Sequence, residues 1–167
     1  MTKFTLTHEI NCDVDTFWKT FLDKSFNEAL YRQELGFPEF NVIEQVETDT
    51  LIRRKVAGTP KMDVPGPVAK VLGPNFKYTE EGSMSPAAKL WTWKMTPSVM
   101  AEKMHMGGTV RCEPISATKC RRVAELTIEA KIFGIGGLME SSAEKQMRDG
   151  WDRSAVFMNK WFARQAK

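Results

Sequence analysis

The chain has 167 residues, of which 42% are hydrophobic and 27% are charged, so we expect residues 1–167 to form a single globular domain. No apolar run approaches the ~18 residues of a transmembrane helix, which argues against a membrane-spanning segment. The 24 basic and 21 acidic residues leave a net charge of +3, and this mild excess argues against nucleic acid as a partner.

The N-terminal residues predict a strand followed by two short helices. Polar and apolar residues alternate over residues 3–10, so one face of the strand is buried. The residues predicted on that face are Phe4, Leu6, His8 and Ile10. Asp13 or Asp15 can cap the first helix, because a short carboxylate accepts hydrogen bonds from the free N–H groups of a helix start. A second helical piece runs to about Leu35 and ends at Gly36.

Residues 42–56 predict two strands that are joined by a turn at residues 48–50. The next segment, residues 57–74, contains four prolines and three glycines, so we expect a loop that encloses one helical turn at residues 67–72. Long loops in compact domains are often binding elements. We therefore expect this segment to be a gate that is more mobile than the strands around it.

Period-two alternation predicts the remaining strands between residues 76 and 132. The residues predicted to face inward are Phe76, Tyr78 and Glu80; Trp91, Trp93 and Met95; Met104, Met106, Gly108, Val110 and Cys112; and Ala124, Leu126, Ile128, Ala130 and Ile132. After a turn at Gly134–Gly137, apolar residues recur every three or four positions to about Arg164. This pattern predicts one amphipathic helix of about 40 Å, which a curved antiparallel sheet can cover.

Two segments carry a resemblance to a known superfamily. One is Phe4–Ile10 running into Asp13–Trp18, and the other is Lys131–Glu140 at the start of the last helix. In these segments and in its order of elements, the chain resembles the START-like (SRPBCC, Bet v 1-like) superfamily, and within it a bacterial family of uncharacterised single-domain members. The resemblance implies an α+β helix-grip fold, in which the long helix crosses a curved antiparallel sheet of about seven strands. It also implies a cavity between them that takes an apolar ligand.

The inward residues are rich in methionine, which adapts to irregular guests, and tryptophan, which offers a flat wall with one N–H donor. The pattern by itself favours a solid core, whereas the resemblance favours a ligand cavity, which Gly108 and Gly150 would widen locally. The residues that we predict to bind the ligand are His8, Arg54, Tyr78, Trp91, Trp93, Met95, Met104, Met106, Leu126, Ile128, Met147, Trp151 and Met158.

Four polar residues fall on the same predicted strand face as their apolar neighbours. An inward His8 needs a hydrogen-bond partner, which is either its own neighbours or a ligand. Glu44, Arg54 and Glu80 also fall on the inward face with apolar residues. An inward Arg–Glu pair can bind a carboxylate or polarise a carbonyl. A register slip of one residue would put any of them in water. The basic cluster Lys119–Arg122 is predicted as the solvated part of a strand or turn.

The cysteines and histidines predict no metal site and no disulfide framework. Cys12, Cys112 and Cys120 are odd in number and far apart in sequence, and His8 and His105 lie apart on the pattern. No phosphate-binding or other cofactor motif is present, so we expect no cofactor. The N-terminal residues lack the pattern of a secretory signal, which favours a cytoplasmic protein with reduced thiols.

These observations leave three functions open. The favoured one is an intracellular carrier or sensor of a hydrophobic small molecule, such as a lipid, a sterol or a polyketide-like compound. The second is a cyclase- or hydratase-type enzyme that uses His8 with Glu44, Arg54 or Glu80. The third is a protein-interaction domain without a ligand. No nucleophile motif such as Gly-x-Ser-x-Gly occurs, which favours a carrier over an enzyme. Transient membrane contact through Met62 is compatible with the pattern, which carries no signal for the oligomeric state.

Overall fold

A computed structural model describes residues 1–166 as a seven-stranded antiparallel sheet with helices at its concave side and edges. The strands are β1 (Thr2–Ile10), β2 (Glu39–Glu47), β3 (Ile52–Thr59), β4 (Tyr78–Met84), β5 (Trp91–Pro97), β6 (Met104–Ser116) and β7 (Lys119–Ala130). The α-helices are α1 (Val14–Phe21), α2 (Lys24–Glu28), α3 (Gly66–Leu72) and α4 (Gly136–Gln165). Hydrogen-bonded neighbours follow the order β1-β7-β6-β5-β4-β3-β2. The predicted helix-grip fold is confirmed.

The period-two alternation predicts the buried face of most strands correctly. On β5, Trp91 and Trp93 are buried, whereas Thr92 and Lys94 are exposed. Successive side chains of a strand point to opposite faces, so one face packs against the helices and the other meets water.

Strand β2 departs from this pattern. Its register against β3 shifts between Val42 and Glu44, which is the signature of a bulge. Glu44 is consequently exposed and forms an ion pair with Arg53 at 2.9 Å, so it does not face inward with its apolar neighbours. The same pairing explains why the predicted loop begins too early. Residues 57–59 continue β3 because they pair with residues 39–41 of β2.

The two short helices after β1 are each capped by an aspartate. Asp13 accepts a hydrogen bond from the Thr16 N–H at 2.9 Å, and Asp23 accepts one from the Phe26 N–H at 3.0 Å. A π-helical segment, Ala29–Glu34, then continues α2. Its wider turn, with a hydrogen bond from the Leu35 N–H to the Leu30 carbonyl, changes which side chains of the segment share a face.

Helix α4 lies mainly across β1 and β7. Its predicted apolar stripe is confirmed at both ends, where Met139 and Met158 are buried. The middle of the stripe, including Met147 and Trp151, remains only half-buried. These two residues pack against the edge of the core and also border an open space, which is where the candidate site lies.

The three cysteines meet in space although they are far apart in sequence. Cys112 and Cys120 lie on the same face of neighbouring strands, and Cys12 follows Ile10, which pairs with Cys120. All three are free thiols. Burial raises the pKa of Cys12 to about 12, with a further contribution from Cys120, and burial also raises the pKa of Cys112. We therefore expect Cys12 and Cys112 to be neutral, unreactive thiols at neutral pH.

Candidate functional site

A cavity of about 570 Å³ lies between the concave face of the sheet and α4. Strands β3 to β7 contribute its floor, while α4, the π-helical segment and α3 contribute its walls. The residues from Pro60 to Val64 border it as well. Curvature carries the central strands away from α4, so the two surfaces enclose a space that their own side chains do not fill.

Eleven of the thirteen residues predicted to bind the ligand line this cavity. They are Arg54, Tyr78, Trp91, Trp93, Met95, Met104, Met106, Ile128, Met147, Trp151 and Met158. Sequence periodicity thus brings them to one surface, and their contact with a ligand stays a prediction.

The other two predicted residues, His8 and Leu126, do not line the cavity. Leu126 is buried in the main core cluster, on strand β7, which α4 contacts. His8 is held by its neighbours, since its Nε2 lies 2.7 Å from Asp152 Oδ1 and its Nδ1 lies 3.1 Å from the Arg122 guanidinium. A guanidinium can only donate, so Nδ1 accepts this bond and the Nε2–H group donates to Asp152.

Arg122 shows that the predicted solvated cluster is partly wrong. This residue is 3% exposed and borders the cavity. It donates to Ser154 Oγ at 3.0 Å and to the Trp151 carbonyl oxygen at 2.8 Å, and its guanidinium stacks 4.7 Å above the Trp151 ring. Arg122 therefore fastens β7 to α4. Its position two residues before Ala124, on the same strand face, is the sequence signal that could have identified it.

A pH dependence of stability follows from His8. Burial lowers the pKa of His8 below 6.5; the hydrogen bond that His8 donates to Asp152 opposes this shift, and the charge of Arg122 adds to it. The unfolded chain therefore binds a proton more readily than the folded one just below pH 6.5. We expect the free energy of unfolding to fall as the pH drops through this window, by at most about 1.4 kcal/mol per pH unit. Denaturant unfolding of the wild type and of His8→Gln should show a flatter profile for the variant; parallel profiles would contradict the assignment.

The two glycines predicted to widen the space have different roles. Gly150 lines the cavity, and a Cβ there would meet nothing within 4 Å. Gly108 does not line it, because a Cβ at this position would lie 2.1 Å from the Glu125 carbonyl oxygen. The missing side chain of Gly108 thus permits the close approach of β6 and β7 instead of enlarging the cavity.

Polar side chains also border the cavity, and four of them, Tyr31, Arg54, Tyr78 and Glu80, lie close enough to interact electrostatically. Burial raises the pKa of the Glu80 carboxyl, and the positive charge of Arg54 opposes that shift. Burial also raises the pKa of the Tyr31 and Tyr78 hydroxyls, so both remain protonated at neutral pH. A largely apolar cavity with a few convergent polar groups is the usual form of a small-molecule site.

Sequence periodicity missed Tyr31 and the residues around it that border the cavity. Leu30, Tyr31 and Leu35 lie at the end of the second helical piece. Their helical spacing indicates a buried face, but the π-helical turn that orients Tyr31 has no sequence signal of its own.

The predicted gate segment borders the cavity at one side. Its residues Val68 and Leu72 are buried on α3 and pack with Tyr78, Met104 and other residues in a second apolar cluster. The side chain of Gln146 on α4 donates to the Asp63 carbonyl oxygen. The segment is thus joined to α4 at the cavity rim.

Residues 1–166 offer neither a metal site nor a membrane-spanning helix. No group of three or more His, Cys, Asp or Glu side chains in this range is arranged to hold a metal ion. Within the same range, no helix combines the length and the apolar character required to cross a bilayer.

Solved structures share this fold at low sequence identity. TTHA0849 from Thermus thermophilus is 14% identical, with a TM-score of 0.71 and coverage of 99% of this chain and 100% of that protein. The Zhui aromatase/cyclase from Streptomyces is 16% identical, with a TM-score of 0.57 and coverage of 95% of this chain and 89% of that protein. A START superfamily protein from Mycobacterium smegmatis is 12% identical, with a TM-score of 0.58 and coverage of 98% of both chains. The START-like fold predicted from the sequence is confirmed.

A family model described as a protein of unknown function, DUF2505, matches residues 5–162. The matched range contains β2 to β7 completely, together with most of β1 and α4, and thus the elements that enclose the cavity. No curated protein sequence matches the chain.

Proposed function

The chain belongs to the DUF2505 family of proteins of unknown function, and we propose that it binds a hydrophobic small molecule in the cavity beneath α4, as an intracellular carrier or sensor. We further propose that residues 1–167 act as one domain and that the ligand is lipid-like, sterol-like or polyketide-like. Free thiols at all three cysteines support a cytoplasmic location.

The observation that carries this proposal is the space under α4 and its lining of methionine and aromatic side chains. At about 30 Å³ for each water molecule, 570 Å³ has room for roughly 19 water-sized atoms. Burial of ~500 Å² of apolar ligand surface would contribute ~12 kcal/mol, against an association cost of ~4–15 kcal/mol. A ligand of this size can therefore bind with few polar contacts.

A neutral fluorescent probe tests the cavity. We expect N-phenyl-1-naphthylamine to bind the wild type with enhanced emission, and Gly150→Phe to weaken binding by at least ~10-fold because the new ring occupies open space in the cavity. Gly137→Phe is the matched control, since Gly137 lies on the same helix, also has open space at its Cβ and does not line the cavity. Absence of probe binding, or equal loss of binding in both variants, would refute the proposal.

Native mass spectrometry of protein from its own host should reveal a bound small molecule.

A cyclase- or hydratase-type activity is the second candidate, because Arg54 and Glu80 both border the cavity and a structurally similar protein is named an aromatase/cyclase. His8 and Glu44 do not support this candidate, since they lie outside the cavity. Turnover would appear as loss of water from a linear poly-β-ketone probe, read by mass spectrometry, and it should vanish in Glu80→Gln.

A further inference from the structure

Arg54 is a buried cation that has no anionic partner in contact. Its neighbours in β3 point to the outer face, where Arg53 pairs with Glu44 at 2.9 Å and Lys55 pairs with Glu81 at 3.4 Å. Arg54 points to the opposite face, is 8% exposed and borders the cavity. Within residues 1–166, no carboxylate oxygen lies at ion-pair distance from it. Buried guanidinium groups usually have such a partner, because an unpaired buried charge is costly.

The geometry of Arg54 leaves one edge of its guanidinium available. The group has five N–H donors in a plane, and one terminal nitrogen donates to the Phe21 carbonyl oxygen at 2.7 Å. The rings of Phe21 and Trp91 pack against the group from one side, with centroids 4.9 and 5.3 Å from its central carbon and 5.3 Å from each other. None of its nitrogens is both sealed from solvent and unpartnered, in contrast to Nε of Arg122. Arg54 borders the cavity, and the edge of its guanidinium that does not bond Phe21 has the geometry that binds a carboxylate with two parallel bonds.

Further polar groups surround this edge. The register of β3 and β4 places Glu80 and Tyr78 on the same face as Arg54, because Val56 pairs with Glu80 and Gly58 pairs with Tyr78. Tyr31 reaches the cavity from the π-helical segment. Arg122, the other buried guanidinium of the wall, does not offer a comparable site, since its bonds to Ser154, Trp151 and His8 occupy it.

We propose that Arg54 binds the anionic head, such as a carboxylate, of an otherwise apolar ligand, and that the protein is selective for amphipathic anions. This inference rests on the proposed function, because the apolar part of the ligand would occupy the cavity described above. The protonated hydroxyls of Tyr31 and Tyr78 are available as further donors to the same head group.

Glu80 makes the binding dependent on pH. The groups that act on it or on which it acts are Arg54 from β3, Tyr78 from its own strand and Tyr31 from the π-helical segment, and the charge of Arg122 of β7 acts on Tyr31. A ligand carboxylate at Arg54 adds a negative charge beside Glu80, which favours the protonated form of Glu80. Binding therefore favours proton uptake by Glu80, and the affinity for a carboxylate increases as the pH falls towards the range in which Glu80 titrates.

The test compares three displacers of bound N-phenyl-1-naphthylamine that share one alkyl chain: dodecanoate, dodecan-1-ol and dodecyltrimethylammonium. We expect dodecanoate to displace the probe at ~10-fold lower concentration than the alcohol, and the cation to be the weakest. Arg54→Met should weaken the binding of dodecanoate by about 10- to 100-fold and the binding of the alcohol by less than ~3-fold. Arg53→Met is the matched control, because it removes the neighbouring charge on the outer face and should leave all three displacers unchanged. Glu80→Gln should strengthen the binding of dodecanoate, and the affinity for dodecanoate should then depend less on pH.

The outcomes separate the two proposals. If the probe binds and all three displacers are equally effective, the selectivity for anions is overturned and the cavity proposal stands. If the probe does not bind, both are overturned. If Arg54→Met does not fold, Glu80→Gln decides, since unchanged or weaker dodecanoate binding in that variant contradicts a head group beside Glu80.

Discussion

Gly108→Ala is expected to lower the free energy of unfolding by at least ~3 kcal/mol, which corresponds to a fall in Tm of about 6–12 °C for a chain of this size. The added Cβ would lie 2.1 Å from the Glu125 carbonyl oxygen and 3.2 Å from the Leu126 Cα, both of which belong to the backbone of β7. A flexible side chain could move aside, but here the two central strands β6 and β7 must separate. Thermal and urea unfolding measure the effect.

Gly150→Ala is the control for this substitution. A Cβ at Gly150 meets no atom within 4 Å, and alanine is the better helix former, so we expect a gain of ~0.5–1 kcal/mol. If the Tm of Gly108→Ala lies within 2 °C of the wild-type Tm and the fold is unchanged, then the backbones of β6 and β7 do not approach each other closely at Gly108, which contradicts this prediction.

Arg122→Met is expected to lower the free energy of unfolding by about 2–3 kcal/mol. The variant loses three hydrogen bonds of a buried guanidinium, to Ser154, His8 and the Trp151 carbonyl, and it leaves the buried Nδ1 of His8 without a donor. Relief of the desolvated charge offsets part of this loss, which keeps the expected effect below that of a broken buried ion pair.

The same variant has a second readout and a close control. The charge of Arg122 contributes to the lowered pKa of His8, so Arg122→Met should raise the His8 pKa, measured by NMR titration of the imidazole. Arg121→Met removes the adjacent charge on the outer face, where Arg121 pairs with Glu113 at 3.7 Å, and it should cost less than ~1 kcal/mol. Equal destabilisation by both variants would contradict the role of Arg122 in joining β7 to α4.

Much of the cavity wall was predictable because the periodicity of a sequence reports which residues share a face. Trp91, Trp93 and Met95 alternate with polar residues, and Met147 and Trp151 recur at helical spacing. Eleven of the thirteen predicted residues line the cavity for this reason. The long amphipathic helix and the strands could likewise be predicted from the local spacing of apolar residues alone.

What the sequence by itself determined about this protein is therefore the order of its strands and helices and the inward faces of the strands and the long helix, while the helix-grip arrangement followed from the resemblance of two segments to a known superfamily. The tertiary structure decided what each inward residue meets, since periodicity contains no distance to the opposite wall. Leu126 and Trp93 both point inward and are buried in the same core cluster, yet only Trp93 lines the cavity. The bulge that turns Glu44 outward and the π-helical turn that carries Tyr31 depend on pairing and packing between segments that are distant in the chain.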